Sequence, residues 1–375
     1  MKIALVHEWL VTYAGSEKVL SAMVEEFPEA DIFCLMDSSK GAYKDKFRDK
    51  EFKTTFLQKL AGLPINHRNL FPLMPLAVEQ IDLRGYDIVV SNSHAVAKGV
   101  ITGPDQLHVC YCYTPMRYAW DLQEQYLTEQ GLNRGIRGAA ARLLLHRSRL
   151  WDIRTANGVD HFIACSSYIS RRIRKVYRRE AEVIYPGVDT DFYGIGDGRK
   201  EDFYLTASRL VPYKKVALIV EAFNQMPERR LVVIGDGPQY RRIAKSAGPN
   251  VEVLGYRDNQ TLRDYLRSAK AFVFAAEEDF GIAPLEAQAC GTPVLAYGRG
   301  GACETVLHGR TGLHFHEQST SAIRNAVGRF EEMPAGHFEP SALREHALRF
   351  SQANFRQQFR SRLTALWDNW SANLY

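Results

Sequence analysis

Short apolar runs that alternate with amphipathic segments are the feature that most restricts how this chain of 375 residues can fold. Runs of this kind are typical of strands that are buried on both faces of a parallel sheet. Between them, segments 16–27 and 215–226 carry apolar residues at the three- and four-residue spacing of a helix. Strands that alternate with helices predict an α/β fold with parallel sheets. The predicted strands are 2–7, 31–35, 87–91, 108–112, 160–166, 202–208, 231–235, 251–254, 271–275, 293–296 and 313–315.

The alternation is interrupted at a small, polar stretch, 194–200, and restarts after it. A chain of this length can hold two domains of ordinary size. We therefore predict an N-terminal domain at 1–193 and a C-terminal domain at 194–349. The last segment, 350–375, is apolar at helical spacing and has no strand after it. We expect this segment to be a helix that crosses back and covers the first domain.

The segment 278–286 follows an apolar run and leads into a predicted helix, 284–290. Pro284 suits the first position of a helix, where a missing N–H loses no partner. Unpaired backbone N–H groups and the helix dipole together attract an anion at such a start, most often a phosphate. The N–H groups that we expect to be unpaired are those of Gly281, Ile282 and Ala283.

Two carboxylates, Glu278 and Glu286, bracket this segment eight residues apart. Carboxylates accept hydrogen bonds from hydroxyl groups, whereas the helix start donates to phosphate. The combination predicts a site for a nucleotide-sugar. A simpler interpretation stays open, in which Glu286 only complements the helix dipole and Glu278 is a solvated loop residue.

Basic side chains in a second loop point to a diphosphate. Arg209 and Lys214 follow the strand 202–208, and a parallel sheet brings this loop to the same edge as 278–286. A third loop, 298–301, opens another helix at that edge. Two cations and a helix start would neutralise a diphosphate and stabilise it as it departs. Taken singly, basic residues such as Arg209 and Lys214 are more often surface charges.

Polar residues also follow three strands of the first half, at the edge where open α/β sheets bind ligands. They are Gly15 and Ser16 after 2–7, His94 after 87–91, and Tyr113 and Arg117 after 108–112. Two simpler interpretations stay open here. Gly15 can mark an ordinary tight turn, and His94 can be a structural histidine with its hydrogen bonds satisfied.

The formal net charge of +5 does not by itself imply a nucleic-acid partner. The excess is concentrated in 131–180, where 12 Arg and Lys residues stand against three acidic residues. Within it, 131–154 interleaves Leu and Trp with Arg, a pattern that suits the surface of an anionic membrane. A solvated helix with its apolar side in the core explains the same pattern.

The sequence shows no sign of a metal site or of export. The six cysteines form no Cys-x-x-Cys pair, and His and Cys do not cluster at ligand spacing. Residues 1–7 lead directly into a strand, and no stretch approaches the ~20 apolar residues of a membrane helix. We expect a soluble cytoplasmic protein with reduced thiols and no bound metal.

With these features in place, the sequence resembles family 4 of the nucleotide-sugar glycosyltransferases, which have the GT-B fold. The segments that carry the resemblance are GSEKV at 15–19, YPGVD at 185–189, SRLVPYK at 208–214, GDGP at 235–238 and EDFGIAPLE at 278–286. They occur in the family's order and span nearly the whole chain. The Glu-x7-Glu pattern with an Arg/Lys pair upstream is the specific part of the signal.

The resemblance implies two Rossmann-like domains whose parallel sheets face a central cleft, with the acceptor in the N-terminal domain and the donor in the C-terminal one. It implies catalytic roles for Arg209 and Lys214 on the diphosphate and for Glu278 on the sugar hydroxyls. Glu286 would contact the ribose. The other donor-binding residues that it implies are Gly15, Ser16, Tyr113, Gly255, Tyr256, Asp279, Phe280, Gly281, Ile282 and Ala283, of which Gly255 and Tyr256 would meet the base. His94 and Arg117 would lie on the acceptor side.

Members of the family retain the configuration of the transferred sugar and need neither a divalent metal nor a cofactor. The leaving phosphate is taken to deprotonate the acceptor on the same face of the sugar. No protein side chain is then required as a base.

The segment CYTPMRYAWD at 112–121 resembles a bacterial subgroup of mannosyltransferases that act in surface polysaccharide assembly. This implies transfer of mannose from GDP-mannose to a saccharide carried on a polyprenyl diphosphate, in exopolysaccharide, capsule or O-antigen synthesis. The enzyme would work at the inner face of the plasma membrane and contact it through 131–180.

Two positions depart from the family's pattern. The subgroup has His where this chain has Tyr113, and Ala14 stands where the first loop glycine of the family is frequent. Tyr donates a hydrogen bond but carries no positive charge at neutral pH, so His94 is a candidate to share that role.

Other activities fit parts of the same pattern. A transferase with a UDP-sugar donor, or an epimerase of the same fold acting on a UDP-sugar, would use a similar donor site; the epimerase would need first-domain carboxylates for proton transfer. A nucleic-acid binder would explain the basic run but would leave Glu278 and Glu286 without a role. We expect no nucleic-acid partner.

Overall fold

The structure is a computed structural model that describes residues 1–61, 67–197 and 199–374. Two predictions fall partly outside this range. Gly198 belongs to the predicted junction 194–200, and Tyr375 ends the predicted helix 350–375; both lie outside the described residues.

The first half of the chain forms one parallel sheet, as predicted. Within the described residues it has seven strands in the order β3-β2-β1-β4-β5-β6-β7. They are β1 (Ile3–His7), β2 (Asp31–Cys34), β3 (Phe52–Thr54), β4 (Ile88–Ser93), β5 (Leu107–Cys112), β6 (His161–Ala164) and β7 (Ala181–Val183). The sequence did not predict β3 or β7, because both are short edge strands that lack an apolar run and are not fully buried.

The second half forms another parallel sheet. Its described residues contain six strands in the order β10-β9-β8-β11-β12-β13. They are β8 (Phe203–Ala207), β9 (Arg230–Ile234), β10 (Val251–Gly255), β11 (Ala271–Phe274), β12 (Val294–Tyr297) and β13 (Gly312–Phe315). In each sheet the strand order reverses once, between β1 and β4 and between β8 and β11. Ligands of open α/β sheets bind at the carboxyl ends of strands beside such a reversal.

Helices connect these strands along the described chain. They are α1 (Gly15–Glu26), α2 (Gln58–Ala61), α3 (Met74–Glu79), α4 (Gln123–Glu129), α5 (Gly135–Ala156), α6 (Ser167–Tyr177), α7 (Val216–Asn224), α8 (Tyr240–Ser246), α9 (Asn259–Ser268), α10 (Ile282–Ala289), α11 (Ala302–Thr305), α12 (Thr320–Glu331), α13 (Pro340–Leu348) and α14 (Gln352–Ser371). Side-chain caps fix several starts: Asp258, for example, accepts the N–H of Thr261 over 2.7 Å at the start of α9. No helix among the described residues is both long and apolar enough to cross a membrane.

The central strands are buried on both faces of each sheet and are therefore mostly apolar. In β9, Leu231 and Val233 pack into the cluster that contains residues of α7 and α12. Val232, between them, packs into the cluster that contains residues of α9 and α10. Helices on both faces are what a parallel sheet requires.

The chain divides into two compact units, Gly187–Asn354 and the remainder, which comprises Met1–Pro186 and the chain from Phe355 onward. The first crossing lies in the YPGVD segment, a few residues before the predicted boundary at 193/194. The reason is that Tyr193 is buried in the core of the second unit. The second crossing lies a few residues after the predicted 349/350.

The C-terminal helix α14 packs against the first unit. Its Phe355 ring lies 5.8 Å from the Tyr111 ring, and its Phe359 ring lies 6.1 Å from the Phe27 ring, as measured between centroids. Arg362 pairs with Glu182 on β7. The apolar spacing of this segment therefore reflects a packed face.

Candidate functional site

Backbone hydrogen bonds hold the loop after β8 against the loop after β9. The N–H of Leu210 donates to the carbonyl of Asp236 over 2.9 Å. A Cβ atom at Gly235 would lie only 1.9 Å from the carbonyl oxygen of Ser208, so this contact requires glycine. The GDGP segment thereby supports the loop that carries the two predicted basic residues.

The loop after β11 packs with similar closeness on the loop after β12. The N–H of Gly301 donates to the carbonyl of Glu278 over 2.7 Å. A Cβ atom at Gly300 would lie 2.4 Å from that carbonyl oxygen, and one at Gly301 would lie 2.2 Å from the Cα of Phe280. The glycines of 298–301 are therefore needed for two backbones to meet, and this contact fixes the position of Glu278.

The two predicted catalytic loops meet through their side chains. The ammonium group of Lys214 forms an ion pair with the carboxylate of Glu278. Both side chains are largely buried, with 18% and 17% of their surfaces exposed. Lys214 also lies 5.5 Å from the centroid of the Tyr213 ring. Glu278 is thus not the solvated loop residue of the simpler interpretation.

Arg209, the other predicted basic residue, lies in the same loop but is exposed. No acidic group of the described residues lies within ion-pair distance of its guanidinium. An exposed guanidinium without an acidic partner is suited to bind a phosphate in bidentate fashion.

Helix α10 begins at Ile282, two residues earlier than predicted, and Pro284 is its third residue rather than its first. The difference is explained by the first turn, in which no N–H has an intrahelical acceptor and proline is tolerated. Gly281 turns the chain into the helix with a φ of 94°, which favours glycine. The N–H groups of Ile282 and Ala283 lie in this first turn, as an anion site requires.

Three further residues of the segment 278–286, Asp279, Phe280 and Glu286, are buried or half-buried. Phe280 is 4% exposed, and its ring lies 5.8 Å from that of Phe350. Glu286 is 7% exposed and lies in the second turn of α10, beyond the first turn where a carboxylate complements a helix dipole. Asp279 is half-buried beside Glu278.

The predicted base site lies at the end of β10. The carbonyl of Gly255 accepts the N–H of Gly235 over 2.9 Å, which joins the ends of β9 and β10. Gly255 has a φ of 74° and turns the chain away from the sheet. The next side chain, Tyr256, is 74% exposed. An aromatic ring is thus presented to solvent directly after the strand end.

In the first unit, the structure brings Gly15, Ser16 and Tyr113 together at the start of α1. The carbonyl oxygen of Ser16 accepts hydrogen bonds of 3.2 Å from both the Tyr113 hydroxyl and the Asn92 amide. Burial raises the pKa of Tyr113 well above its ordinary value, so the hydroxyl remains a neutral donor. Tyr113 therefore ties down the turn that contains Gly15.

Glu8 is a residue that the sequence reasoning missed. Its carboxylate is fully buried after β1 and accepts the N–H groups of His94, Ala95 and Val96 over 2.7–3.0 Å. Although burial favours protonation, the charge of His94 and these N–H groups hold the pKa of Glu8 below its ordinary value. The signal was available, because Glu8 follows a predicted strand just as His94 does.

His94 lies between two aromatic rings at the end of β4. Its ring centroid is 5.1 Å from that of Trp9 and 6.5 Å from that of Tyr113. Burial lowers the pKa of His94, the charge of Arg117 adds to this effect, and the charge of Glu8 opposes it. Nδ1 is buried, and no hydrogen-bonding group of the described residues satisfies it.

The described residues contain no group of three or more His, Cys, Asp or Glu side chains that could hold a metal ion. At this edge of the second sheet, Arg209, Lys214 and the first turn of α10 are groups suited to an anion.

Two Rossmann-like units with these loops define a protein of the GT-B class, and two family models match consecutive parts of the chain. The model "Glycosyltransferase Family 4" matches residues 13–192, and the model "Glycosyl transferases group 1" matches residues 190–354. The chain belongs to family 4 of the glycosyltransferases, in agreement with the resemblance of its motifs.

Among its relatives is the GDP-mannose-dependent alpha-(1-6)-phosphatidylinositol monomannoside mannosyltransferase of Mycolicibacterium smegmatis. It is 32% identical over 208 residues, which cover 47% of this chain and 54% of that protein. The D-inositol 3-phosphate glycosyltransferase of Mycobacteroides abscessus is 29% identical over 238 residues, 58% of this chain and 52% of that one. The matches thus span about half the length of these curated relatives.

Solved structures share the fold over nearly the whole chain. HepE of Anabaena, in complex with UDP-glucose, has a TM-score of 0.71 at 19% identity, covering 97% of this chain and all of that one. Sucrose-phosphate synthase of Thermosynechococcus elongatus has a TM-score of 0.74 at 17% identity, covering 98% and 100%. At these identities the likeness establishes the fold.

Proposed function

We propose that this chain is a retaining glycosyltransferase that transfers mannose from GDP-mannose to a saccharide acceptor. Membership of family 4 and the similarity to a GDP-mannose-dependent mannosyltransferase support the proposal. The observation that carries it is the ion pair of Lys214 and Glu278, which lies in the loops after β8 and β11 beside the reversal of strand order. A cation and a hydroxyl acceptor meet there at the start of α10.

In the second unit, the donor would be bound by positive and hydrogen-bonding groups, and Gly15 and Ser16 are proposed as further donor-binding residues on the resemblance to the family. Arg209 and Lys214 bind the diphosphate together with the first turn of α10. Glu278 accepts hydrogen bonds from the mannose hydroxyls. The other contacts proposed for the second unit are Glu286 to the ribose, Gly255 and Tyr256 to the base, and Asp279, Phe280, Gly281, Ile282 and Ala283 around the phosphates and sugar. Tyr113 is proposed as a donor-binding residue on the resemblance alone.

In the reaction, the bond between the anomeric carbon and the diphosphate oxygen breaks, and a bond from the acceptor oxygen to the same face of that carbon forms. The proton of the acceptor hydroxyl passes to the departing phosphate of GDP. Lys214 and Arg209 stabilise the negative charge that develops on the leaving diphosphate. Neither a divalent metal nor a cofactor is needed for this route.

The acceptor is proposed to be a saccharide on a polyprenyl diphosphate, in the synthesis of a bacterial surface polysaccharide such as capsule, exopolysaccharide or O-antigen. His94 and Arg117 are the residues proposed to meet it. Such an acceptor would hold the enzyme at the cytoplasmic face of the plasma membrane, with 131–180 as the predicted region of contact.

The test is the thermal stability of the protein with GDP, UDP or ADP in excess, each measured with and without EDTA. A ligand at ~100 times its Kd adds about 2.7 kcal/mol to the free energy of unfolding, which raises the Tm by several degrees. We expect an increase with GDP alone that EDTA does not change. An increase of the Tm with UDP alone would indicate a UDP-sugar as donor in place of GDP-mannose. Formation of an epimeric sugar from UDP-N-acetylglucosamine in the absence of acceptor would then indicate an epimerase.

A further inference from the structure

One face of the helix α5 exposes large apolar side chains in a line. Ile136, Leu143 and Leu150 are 90%, 56% and 59% exposed. They are seven residues apart, so they lie on the same side of the helix about every two turns. Ile136 to Leu150 spans roughly 21 Å along the axis. Isolated exposed leucines need no explanation, but an aligned row indicates a surface that contacts something apolar.

Positive charge accompanies this row. Arg147 lies one turn from Leu143 and Arg137 lies beside Ile136; both are exposed, and neither has an acidic partner among the described residues. Arg154 lies one turn from Leu150 on the same side and pairs with Glu79. The surface, which we call the outer face of α5, is therefore apolar and cationic.

The orientation of α5 is fixed by a buried polar network on its opposite side. Asp152, the single acidic residue of α5, is fully buried and accepts from Lys98 Nζ over 2.5 Å. It also accepts from Trp120 Nε1 over 2.8 Å and from the Tyr177 hydroxyl over 3.0 Å. Rotating α5 to bury its outer face would break this ion pair inside the protein, at a large cost. The predicted apolar side of this helix is therefore divided: Leu145 and Trp151 pack against the core of the first unit, whereas Leu143 and Leu150 face away from it.

A neighbouring helix extends the apolar surface. Leu76, on α3, is 51% exposed. The two helices are in contact, because Trp151 Nε1 of α5 donates to Glu79 of α3 over 2.7 Å. The exposed apolar side chains thus come from two helices that are in contact.

We propose that the outer face of α5 docks on an anionic lipid bilayer. Apolar side chains in a row flanked by arginines match the boundary between acyl chains and phosphate headgroups. Arg137 and Arg147, which have no acidic partner among the described residues, favour binding to a negatively charged surface such as that of an anionic bilayer. This proposal rests on the proposed function, because a lipid-linked acceptor is reached at a membrane. It assigns the membrane contact to α5 and not to the equally basic α6.

The test is sedimentation of the full-length protein with vesicles of phosphatidylcholine, with or without phosphatidylglycerol. We expect binding only to vesicles with phosphatidylglycerol. Leu143→Gln/Leu150→Gln removes the apolar row and Arg137→Gln/Arg147→Gln removes two cations; each should weaken binding at least about tenfold. The matched control is Arg171→Gln/Lys175→Gln, which removes two exposed cations from α6.

The outcomes separate the proposal from its alternatives. Unchanged binding of Leu143→Gln/Leu150→Gln, an equal loss in the α6 control, or no binding of the wild-type protein to either vesicle would each overturn it. The last result would instead favour an acidic protein surface as the partner. All variants should keep the wild-type Tm increase with GDP, so failure of the donor proposal is recognised independently of failure at the membrane.

Discussion

Lys214 and Glu278 are 64 positions apart in the chain, yet their side chains form an ion pair between two loops of the second unit. Each was predicted to contact a different part of the donor, the diphosphate and the sugar. Because the two charges are in contact, an anion that binds Lys214 must compete with the carboxylate of Glu278. Under the proposed function, the pair would couple recognition of the phosphate to recognition of the sugar.

The substitution Glu278→Gln should separate these two effects. Removing the carboxylate frees Lys214 for phosphate, so we expect GDP to bind about fivefold more tightly, roughly 1 kcal/mol. Mannosyl transfer should fall, because the sugar loses its acceptor. Calorimetric titration with GDP measures the change in affinity, and turnover of GDP-mannose measures the change in mannosyl transfer. The control is Glu252→Gln, which removes a carboxylate on β10 that pairs with Arg230 on β9. It should change neither GDP binding nor mannosyl transfer. Weaker GDP binding by Glu278→Gln would contradict the competition.

Lys214→Ala should abolish most turnover while the fold persists. Loss of one group that stabilises the transition-state charge typically costs about 10²–10³ in kcat. The measurement is initial rate at saturating GDP-mannose, with circular dichroism to check folding. Lys245→Ala, at an exposed position of α8, serves as the control and should retain full activity. A rate for Lys214→Ala within about threefold of wild type would exclude Lys214 from the reaction.

Tyr113→Phe tests the hydrogen bond from the Tyr113 hydroxyl to the Ser16 carbonyl. The variant keeps the ring and removes one of two donors to that carbonyl, so the free energy of unfolding should fall by about 1 kcal/mol. Urea denaturation measures the difference, and Tyr256→Phe at an exposed ring provides the comparison. If Tyr113→Phe were as stable as wild type, the hydroxyl would not be what holds the turn at Gly15 and Ser16.

The buried imidazole of His108 should make the first unit sensitive to acid. Burial lowers its pKa to about 4, and its ring nitrogens lie 2.9 Å from the Ser91 hydroxyl and 3.0 Å from the Gly158 carbonyl. The unfolded state binds a proton below pH ~6.5 that the folded state does not bind until pH ~4, so stability falls as the pH is lowered through this window.

For wild type, this group alone should lower the free energy of unfolding by about 2 kcal/mol between pH 7 and pH 5. His108→Asn should be less stable at pH 7, but the gap to wild type should narrow by that amount at pH 5. Urea denaturation at the two pH values measures the gap. A gap that does not change with pH would show that His108 does not titrate as its burial requires.

The strands of both sheets could be predicted because parallel strands buried on both faces must be apolar, and their carboxyl ends could be predicted to carry the site. The edge strands Phe52–Thr54 and Ala181–Val183 could not, because they bury little surface. The start of α10 was misjudged because proline is allowed throughout the first turn of a helix, so Pro284 marks a start only approximately.

Contacts between side chains that are far apart in the chain could not be predicted from the sequence. It suggested that Lys214 and Glu278 share an edge, but no spacing rule indicates that they touch. The buried pair of Lys98 and Asp152 gave no signal either, because charged residues usually lie at the surface. Glu8 is the instructive case, because the rule that selected His94 applied to it as well: both residues follow a predicted strand.

The C-terminal helix has a consequence for biosynthesis. Phe355 and Phe359 pack on Tyr111 and Phe27, and the whole of the second unit lies between them in the chain. A ribosome therefore delivers the last piece of the first unit only after the other unit has been made. Until then, the aromatic surface around Tyr111 lacks its cover, so the half of the protein that is translated first is completed last.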